Sequence, residues 1–596
     1  MSQSRIRFVD LVIVGLVCSN STIAATRFVV SGAAPGGDGL SWATAHDSLT
    51  NALNNSQAGD EIWVAAGTYV PGVTRQSAFE LRSGVAIYGG FTGSETVREQ
   101  RNSDPTTNLC TLSGDVDADD APKFGNRADN NYHVVAARTV DEGAVLDGFT
   151  IRGGHAVGVG NNDRRGGGYF GTDSNAILRN CRFTDNHAAN AGGGAACFFL
   201  TPRFEHCTFD GNRSDTVGGA FHAGSANPTL IACVFRFNQS TSGGAASAST
   251  AHVYFDQCEL TGNAASNVGG AALATSNGSL TLSACILAGN SANGDGGAIW
   301  HLGQTLTAMH CVFADNASGA CGGAVFLYAA YGQISGCRFL GNSALEGGAL
   351  ATSAEVFEAV LRSCEFSGNF AGARGGAIAA RLSGTLVRVV NCSFAANNAP
   401  MAGGIGVSDQ ARLELESSVL WGNTDQQGGG HLAQVRADAA LLSIVYSDIE
   451  GLLPEFQHNS NFDLAPAFVN PLGADGAAGT LDDDLHLLPT SPCIARGSWT
   501  AFGVNEYDID GEPRVMGGRI DVGADEFTDR PFVFGDLDCD GVRNNFDIDP
   551  FVLALTGSEA YAESFPDCDA RNADINADGL VNNFDIDPFV GLLSLP

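Results

Sequence analysis

Oxygen-bearing residues near the end of the 596-residue chain follow a spacing that suits a divalent cation. They stand at positions 1, 3, 5, 7 and 12 of one short stretch, with a glycine at position 6, and are Asp536, Asp538, Asp540, Val542 and Asp547. Side chains at alternate positions can surround one ion, the glycine permits a sharp bend, and the carbonyl of position 7 completes a shell of oxygen ligands. The pattern therefore predicts a Ca²⁺ site.

The same pattern recurs further along the chain, beginning at Asp574. Its members are Asp574, Asn576, Asp578, Leu580 and Asp585. Because a solvated acidic turn has no reason to repeat this spacing, the duplication favours two Ca²⁺ ions as the cofactors of the chain. Another acidic stretch, with Asp475 and residues 482–484, either holds a further Ca²⁺ or forms a solvated loop.

A cysteine repeat is the longest ordered pattern in the chain. Nine of the 16 cysteines recur at intervals of about 26 residues, each opening the phrase C-x-[F/L/I]-x-x-N, and a Gly-Gly pair follows. They are Cys181, Cys207, Cys233, Cys258, Cys285, Cys311, Cys337, Cys364 and Cys392. The unit is too short for two helices and a turn, and a fixed period of this length indicates a solenoid or a propeller.

Alternation within the repeat favours strands. Alternate side chains of a strand share a face, so Cys207 and Phe209 are expected to point the same way. Each unit then holds about three short strands, separated by Asn and Gly-Gly at the turns. Units stacked at about 4.8 Å per coil form a parallel β-helix. We expect an all-β fold with a small α-helical C-terminal domain.

Stacking in register predicts two internal columns. The apolar column consists of Phe183, Phe209, Phe235, Leu260, Leu287, Phe313, Phe339, Phe366 and Phe394. The amide column, in which side chains hydrogen-bond along the stack, consists of Asn186, Asn212, Asn238, Asn263, Asn290, Asn316, Asn342, Asn369 and Asn397. Both columns are interpreted as structural rather than as ligand sites.

The repeat cysteines are predicted to be packing groups. Nine thiols cannot pair completely, and one repeat after Cys392 the phrase continues with Ser418, so the position needs a small buried side chain. His206 and His310 each precede a repeat cysteine, but four coils separate them by about 19 Å. They cannot share a metal ion.

The segment 1–25 has the layout of a secretory signal peptide. Arg5 and Arg7 precede an apolar stretch, and the small residues Ala24 and Ala25 follow it. Cys18 leaves a lipoprotein as the alternative. No later run is long and apolar enough to span a bilayer, so we expect export to the cell surface or the medium.

The charge of the chain excludes some partners. The formal net charge is −34, and Lys123 is the single lysine. Nucleic acid and anionic membrane surfaces are therefore poor partners.

Five segments follow from these patterns. They are a signal peptide at 1–25, an N-terminal cap with entering coils at 26–150, β-helix repeats at 151–450, C-terminal coils with a closing segment at 451–527, and a C-terminal domain at 528–596. In the cap, the spacing of Leu49, Ala52 and Leu53 predicts a short amphipathic helix over the first coil, because a solenoid end exposes unpaired backbone groups.

Three stretches resemble known β-helix proteins. F-x-x-N with G-G-A-[I/L/V], as at Gly375–Ile378, resembles the polymorphic outer-membrane-protein repeat over about residues 180 to 430. The stretch Ser41–Tyr69 resembles N-terminal segments of secreted bacterial pectate-lyase-like β-helix proteins. Asp508–Arg514 and Arg519–Phe527 resemble a closing segment of bacterial surface β-helix proteins. These resemblances imply a right-handed, surface-exposed β-helix implicated in adhesion, with the closing segment as its end cap.

The duplicated calcium pattern, with aspartate at position 12, resembles a type I dockerin over about residues 535 to 593. The resemblance implies a cohesin-like or cell-envelope receptor as partner. Asn545-Phe546 and Asn583-Phe584 stand where that family places partner-selecting residues, and no basic residues follow them. The identity of the receptor is therefore left open.

Two further features of this domain are expected. Pro550 and Pro588 fit only a first helical turn, which predicts helices that start near Asp549 and Asp587. In an exported domain, Cys539 and Cys568 are candidates for a disulfide.

Residues for polysaccharide cleavage do not stand out. Lyase chemistry needs cations and a base, and hydrolysis needs two nearby carboxyl groups. The acids of the repeat fall on separate coils, namely Asp185, Asp210, Asp256 and Asp315, and residues 161–165 are typical of a loop. We expect an adhesive or glycan-contacting role, with a polysaccharide lyase or glycoside hydrolase as the alternative and a structural surface-layer component as a third. Two acids, or an acid and an arginine, on adjacent coils of one groove would favour the enzyme.

Overall fold

The computed structural model describes residues 24–353, 357–498, 507–514, 520–528, 535–539, 542–557 and 581–593, together with shorter stretches between 560 and 575. Most of the described chain forms a parallel solenoid of about 15 turns. Each turn, or coil, contributes strands to as many as four sheets, which we call A to D. The predicted signal peptide at 1–25 lies almost wholly outside the described residues.

One coil illustrates how the strands are distributed among the four sheets. Its strands are Arg203–Glu205 in sheet A, Thr208–Asp210 in sheet B, Arg213–Ser214 in sheet C and Phe221–Gly224 in sheet D. Each strand pairs in parallel with the strand one repeat away, so that Phe209 lies opposite Phe183 on one side and Phe235 on the other. The predicted parallel β-helix is confirmed.

Sheet B follows the cysteine corner, and sheet C follows the amide column. The strands of sheet B are Gly67–Tyr69, Cys110–Ser113, Thr150–Arg152, Arg182–Thr184, Thr208–Asp210, Val234–Arg236, Glu259–Thr261, Ile286–Ala288, Val312–Ala314, Arg338–Leu340, Glu365–Ser367, Ser393–Ala395, Val419–Trp421 and Asp448–Ile449. Those of sheet C are His155–Ala156, His187–Ala188, Arg213–Ser214, Gln239–Ser240, Ala264–Ala265, Ser291–Ala292, Ala317–Ser318, Ser343–Glu346 and Phe370–Arg374.

Sheets A and D are joined because two strands, Ala272–Ser283 and Ile299–Met309, run through the corner between them. The other strands of sheet A are Thr26–Val29, Glu61–Ala65, Ala86–Phe91, Val145–Asp147, Ile177–Arg179, Arg203–Glu205, Thr229–Ile231, His252–Asp256, Tyr331–Ser335, Phe357–Arg362, Thr385–Val390, Arg412–Glu416 and Leu441–Val445. Those of sheet D are Phe79–Glu80, Val135–Val140, Tyr169–Ser174, Ala195–Phe198, Phe221–Gly224, Ala246–Ser249, Val325–Tyr328, Leu350–Ser353, Ile378–Arg381, Ile405–Ser408 and Val435–Asp438.

The apolar column fills the interior as predicted, and all nine of its members are 0% exposed. Neighbouring rings stack face to face, with centroids 4.6 Å apart for Phe209 and Phe235 and 4.5 Å apart for Phe366 and Phe394. The spacing matches the rise of one coil, so each ring removes apolar surface of the next from water, at about 25 cal/mol per Å².

The amide column is continuous. Asn290 Nδ2 donates to Asn316 Oδ1 at 3.0 Å and to the carbonyl of Leu260 at 2.8 Å. The column continues past the predicted members to Asn423, whose Nδ2 donates to Gln434 Oε1 at 2.6 Å. Because these amides are fully buried, the ladder satisfies polar groups that would otherwise lack partners.

The cysteines occupy the corner between sheets A and B. Cys207 Sγ donates to the carbonyl of Leu178, one coil away, at 3.4 Å, and burial raises the pKa of this thiol well above its usual value. Ser418 takes the place of a cysteine, since its Oγ accepts from the backbone N–H of Cys392 at 3.1 Å, as Cys285 Sγ accepts from the N–H of Cys258 at 3.4 Å. The predicted packing role of these side chains is confirmed.

The residue before each corner has a left-handed backbone. His206 and His310 both have φ of 51°. Histidine tolerates this conformation better than most residues. The backbone geometry therefore accounts for the two histidines without a metal ion.

A cap covers the first coil. The helix Leu49–Asn55 begins at Ser48, whose side chain accepts from the N–H of Asn51, and it buries Leu49, Ala52 and Leu53 against the core. A 3₁₀ turn, Trp42–Thr44, precedes it, and the strand Glu61–Ala65 follows. The predicted cap helix is confirmed.

The far end of the solenoid is closed by residues that the sequence did not single out. They include the short helix His431–Gln434 and the 3₁₀ turn Pro454–Phe456. Their rings stack, with centroids of His431 and Phe456 5.1 Å apart, and Leu452 joins the core. The end cap is thus built before residue 460.

The described residues between 463 and 527, which we call the return segment, run back along the outside of sheet B. Arg338 Nη2 donates to the carbonyl of Asp483 at 2.8 Å, and the N–H of Ala524 donates to Ser393 Oγ at 2.9 Å. Within the segment, Phe468–Asn470 and Asp484–Leu487 form an antiparallel pair. The expectation of an end cap is therefore wrong for this stretch, which covers the side of the solenoid instead.

Among the described residues, no helix is long and apolar enough to cross a membrane.

Candidate metal centre

The C-terminal residues form a small core of their own. The helices Ile548–Thr556 and Ile586–Leu593 face each other through Phe551 and Phe589, whose ring centroids are 4.0 Å apart. Each helix begins one position before the predicted start and holds its proline in the first turn. Tyr561 Oη adds a hydrogen bond of 2.7 Å to the carbonyl of Leu537.

A disulfide links the two halves of this core. Cys539 and Cys568 are bonded, as predicted. Cys539 has a left-handed backbone, with φ of 55°, within the first calcium pattern. The crosslink therefore fixes the middle of that loop against the stretch between the two helices.

Three carboxylates of the first calcium pattern converge. One oxygen from each of Asp536, Asp538 and Asp547 lies within 4.8 Å of the others. Asp547 is placed by its neighbours: Oδ1 accepts from the N–H of Leu537 at 2.6 Å, and Oδ2 accepts from the N–H of Asn544 at 2.7 Å. The aspartate of position 12 thus folds back over the start of its own loop.

These residues fit a calcium ion. Asp536 is 2% exposed and Asp547 is fully buried, so their charges repel one another in a medium of low dielectric. A hard divalent cation would bind the converging oxygens and offset that repulsion. Val542 is also described, whereas Asp540 lies outside the described residues.

The second calcium pattern is described only at its end. Asp585 is buried, and its Oδ2 accepts from the N–H of Asn582 at 2.9 Å, as Asp547 does from Asn544. Asp574, Asn576, Asp578 and Leu580 lie outside the described residues. The described part therefore repeats the local geometry of the first site.

The acidic stretch at Asp475 and residues 482–484 forms a hydrogen-bonded loop. Asp482 Oδ2 accepts from the N–H of Ala474 at 2.7 Å, and its Oδ1 accepts from Thr480 at 2.7 Å. These bonds, that to Thr480 first, lower the pKa of Asp482. Among described residues, Asp475 belongs to no group of three ligands. Asp483 is buried, and its Oδ2 accepts from the N–H of Gly479 at 2.6 Å, so only part of the stretch is solvated.

Sequence reasoning missed a second cluster, in the return segment. His486 hydrogen-bonds through Nδ1 to Asp484 at 2.5 Å and through Nε2 to Asp510, and Asp525 lies nearby. The hydrogen bond to Asp510 is the main cause that raises the pKa of His486 to about 10. The sequence signal was the recurrence of acids in D-D-D-L-H, D-I-D-G-E and G-A-D-E, which only the fold brings together.

Buried acids surround the same cluster. Burial raises the pKa of Asp508 to about 7 and that of Glu526 to about 9, although Arg514 lies 3.4 Å from Glu526. Arg514 is itself fully buried. The return segment therefore concentrates carboxyl groups against sheet B, and burial favours the neutral form of Asp508 and Glu526.

Acid–arginine pairs do occur on adjacent coils of the β-helix. Arg182 and Arg236 flank Asp210 at 2.8 and 3.1 Å, and Arg388 lies between Glu358 and Glu414 at 3.1 and 3.3 Å. Because they recur along sheets A and B as exposed cross-strand ladders, they are explained by sheet stability. They meet the adjacent-coil part of the criterion for an enzyme.

Another set of such residues shares one groove. Asp147 and Arg179 lie opposite each other on adjacent coils of sheet A, and Arg101 Nη2 lies 2.9 Å from Asp147. All three line a cavity of about 480 Å³, so this set meets the criterion in full.

One such pair lines a cavity of about 370 Å³. Arg338 Nε donates to Glu365 at 2.8 Å, and Nη2 donates to the carbonyl of Asp483 at 2.8 Å. The guanidinium thus docks the return segment. His310 and the cluster at His486 line the other walls.

The remaining candidates from the sequence do not converge. Residues 161–165 form a turn around the 3₁₀ helix Asn162–Arg164, and Arg164 donates to Asn190 at 3.3 Å. Asp185 and Asp315 have left-handed backbones at their corners, with φ of 53° and 54°. Among the described residues, none of these belongs to a group of three metal ligands.

An aromatic patch lies on the outer face of sheet D. Trp300 and Tyr328 are nearly parallel, with centroids 6.5 Å apart and an interplanar angle of 12°. They pack with Phe326, Ala351 and Ala379, and 44% of Tyr328 is exposed. We call these five residues the aromatic patch.

A family model supports the fold over part of the chain. This model, described as a right-handed beta helix region, matches residues 128–287 and 218–379, which together are less than half of the chain. The crystal structure of pectate lyase Pel9A is similar at 11% identity and a TM-score of 0.26, with 85% of this chain and 97% of that chain covered. No curated protein matches this sequence.

The family match concerns the β-helix, and a TM-score this low carries no argument. The dockerin and polymorphic outer-membrane-protein resemblances rest on the sequence motifs. Residues 128–379 thus form a right-handed parallel β-helix, and the strand registers continue the same solenoid from Thr26 to Ile449.

Proposed function

We propose that the chain is an exported calcium-binding β-helix protein that contacts glycans and is tethered through its C-terminal module. The observation that carries this proposal is the convergence of Asp536, Asp538 and Asp547 within 4.8 Å, in a loop whose pattern is duplicated. The disulfide and the stacked helices give the module a core separate from that of the solenoid. A cohesin-like or cell-envelope receptor is the partner that the dockerin resemblance implies.

Calcium binding is tested by calorimetric titration of the full chain after chelator treatment. We expect two bound Ca²⁺ ions in the unchanged chain. Asp547→Asn and Asp585→Asn should each remove one, because each change deletes the position-12 carboxylate of one loop. Asp549→Asn is the matched control, since Asp549 is exposed and lies just beyond the first loop.

Two outcomes would refute calcium binding. One is a chain that takes up no Ca²⁺ at all. The other is unchanged stoichiometry in both position-12 variants while circular dichroism shows them folded.

The aromatic patch supports the glycan-contacting part of the proposal. Exposed aromatic rings offer flat apolar faces with a polar edge, which suits packing against a pyranose ring. An ion pair at its edge, Arg381 with Glu346 at 3.2 Å, provides polar groups for sugar hydroxyls. Trp300 and Tyr328 lie on adjacent coils, so one sugar chain that runs along the solenoid could contact both.

Retention of the full chain on insoluble polysaccharides tests this surface. Trp300→Ala and Tyr328→Ala should each weaken binding about 10-fold, the effect of roughly 1.4 kcal/mol. Tyr254→Ala is the control, because Tyr254 is 46% exposed but lies on sheet A. Equal retention of all three variants would exclude the patch, and release of soluble products would favour polysaccharide cleavage instead.

A further inference from the structure

A mixed histidine–carboxylate cluster lies where the return segment crosses sheet B. One ligand atom from each of His486, Asp510 and Asp525 lies within 4.8 Å of the others. The three residues come from different parts of the segment, namely the strand Asp484–Leu487 and the described stretches 507–514 and 520–528. Nothing in the local sequence brings them together, so the cluster is a product of the fold.

The histidine is oriented as in many metal sites. Its Nδ1 is held by Asp484 at 2.5 Å, and its Nε2 faces Asp510. Metal-binding histidines typically bond a carboxylate through the second ring nitrogen, which fixes the ring and raises the basicity of the ligating nitrogen. Asp525 is held in turn, because its Oδ2 accepts from the N–H of Leu487 at 2.8 Å.

The charge around the cluster favours a cation. Asp508 and Glu512 form a second group with Asp525, again within 4.8 Å. All three carboxyl groups are buried. Carboxylates this close repel one another, and a divalent ion offsets that repulsion more fully than one imidazolium does.

An ion can reach the cluster from solvent. The side chains of His486 and Asp510 are 40% and 49% exposed, and both line the cavity of about 370 Å³. Asp525 is only 4% exposed and forms the floor of the cluster. The site is thus open on one side, as catalytic and exchangeable metal sites are.

We propose that His486, Asp510 and Asp525 bind one divalent transition-metal ion of the Zn²⁺ or Mn²⁺ class, with Asp484 as the residue that positions the histidine. Imidazole and carboxylate together suit these ions, whereas Ca²⁺ takes oxygen ligands. Around such an ion the ligand atoms lie about 3 to 4 Å apart, so small side-chain rotations complete the site. The ion displaces the proton of His486 and ties three parts of the return segment together.

Titration of the full chain with Zn²⁺, and separately with Mn²⁺, tests the site in the presence of saturating Ca²⁺. One ion should bind, and loss of a proposed ligand in Asp510→Asn or Asp525→Asn should weaken binding by more than the roughly 10-fold that loss of a supporting residue costs. Asp484→Asn should weaken it less and be partly rescued by Asp484→Glu. Asp475→Asn, an exposed change in the same segment, is the control.

Hydrogen exchange provides a readout that is independent of affinity. Zn²⁺ should slow exchange at the N–H groups of residues 484–487 and 508–512 in the unchanged chain and not in Asp525→Asn. The same Zn²⁺ response should persist in Asp547→Asn, which separates this site from the calcium loops. Unaltered affinity in folded Asp510→Asn and Asp525→Asn, or no exchange protection by either metal, would show that His486 is only an imidazolium paired with carboxylates.

Discussion

Asp448 shows how a single buried acid links the solenoid to the return segment. It is fully buried in the last strand of sheet B. Its Oδ1 accepts from the N–H of Leu464 at 3.1 Å, and Cys493 Sγ donates to its Oδ2 at 3.5 Å. Burial raises the pKa of Asp448 to about 7, and the nearby Asp463 adds to that rise.

The sign of the pH effect follows from this shift. In the unfolded chain an aspartate has a pKa of about 3.9, so the folded state holds the proton more tightly. The contribution of Asp448 to stability is therefore fully present below about pH 4 and is lost as pH rises to about 7. Above that pH the folded protein carries a poorly solvated charge.

Asp448→Asn should remove this pH dependence. We expect the variant to exceed the unchanged chain in stability by about 1–2 kcal/mol at pH 8, and by much less at pH 5. Thermal unfolding of both proteins at pH 5 and pH 8 measures this difference in stability. Asp409→Asn, an exposed change, serves as control. A stability difference that is the same at both pH values would contradict the argument.

At the scale of elements, the amide ladder is the clearest stabilising device. Each amide serves both neighbouring coils: the backbone N–H and Nδ2 of Asn263 both donate to Asn290 Oδ1 at 3.0 Å. The ladder crosses the turn between sheets B and C, where short strands offer few backbone bonds. It therefore holds the corner of every repeat in register.

Asn290→Ala should destabilise the chain by about 3 kcal/mol, because it leaves buried donors of Asn263 and other ladder groups unsatisfied. Denaturant unfolding measures the loss. Asn293→Ala is the matched control, close by in the same coil and exposed. If the two variants are equally stable, the ladder is not a source of stability.

The return segment packs on the outer face of sheet B, whose inner face already packs in the solenoid core. Where it docks, sheet B turns small side chains outward, such as Ser367, Ser393 and Ala395, and all are buried. Earlier coils carry Asp210 and Arg236 at the positions equivalent to Ser367 and Ala395. The exchange of large polar for small residues makes room for a covering layer.

At the scale of the whole molecule, two cores are separate. One runs the length of the solenoid from Val29 to Leu452, and the other joins Leu537 to Phe589 in the C-terminal module. A solenoid is stabilised by contacts between neighbouring coils, so each added coil extends the same core. The small module depends instead on its disulfide and, in our proposal, on calcium.

The distribution of acids also belongs to this scale. With a net charge of −34, the chain repels itself unless cations are bound. In the described chain, acids converge in three places: the first calcium pattern, the return segment, and a loop of the entering coils that holds Asp115, Asp119 and Asp129. Cation binding at the first two would stabilise regions that the solenoid repeat does not.

The sequence by itself determined the solenoid and the convergence of three carboxylates of the first calcium pattern, those of Asp536, Asp538 and Asp547. Period-two alternation and a repeat of about 26 residues place Cys207, Phe209 and Asn212 at fixed corners and faces, because each coil repeats the contacts of the last. The calcium pattern is likewise local, since Asp536 to Asp547 need only one turn of chain to meet.

Only the tertiary structure decided where the return segment lies and which of its residues meet. His486 and Asp525 are far apart in the sequence, and the segment has no repeat from which a register could be inferred. Its path depends on how well its shape fits the outer face of sheet B, where small side chains leave room for it. That fit is a property of the folded surface. A repeat transmits its geometry along the chain, whereas a docked segment takes its geometry from the surface beneath it.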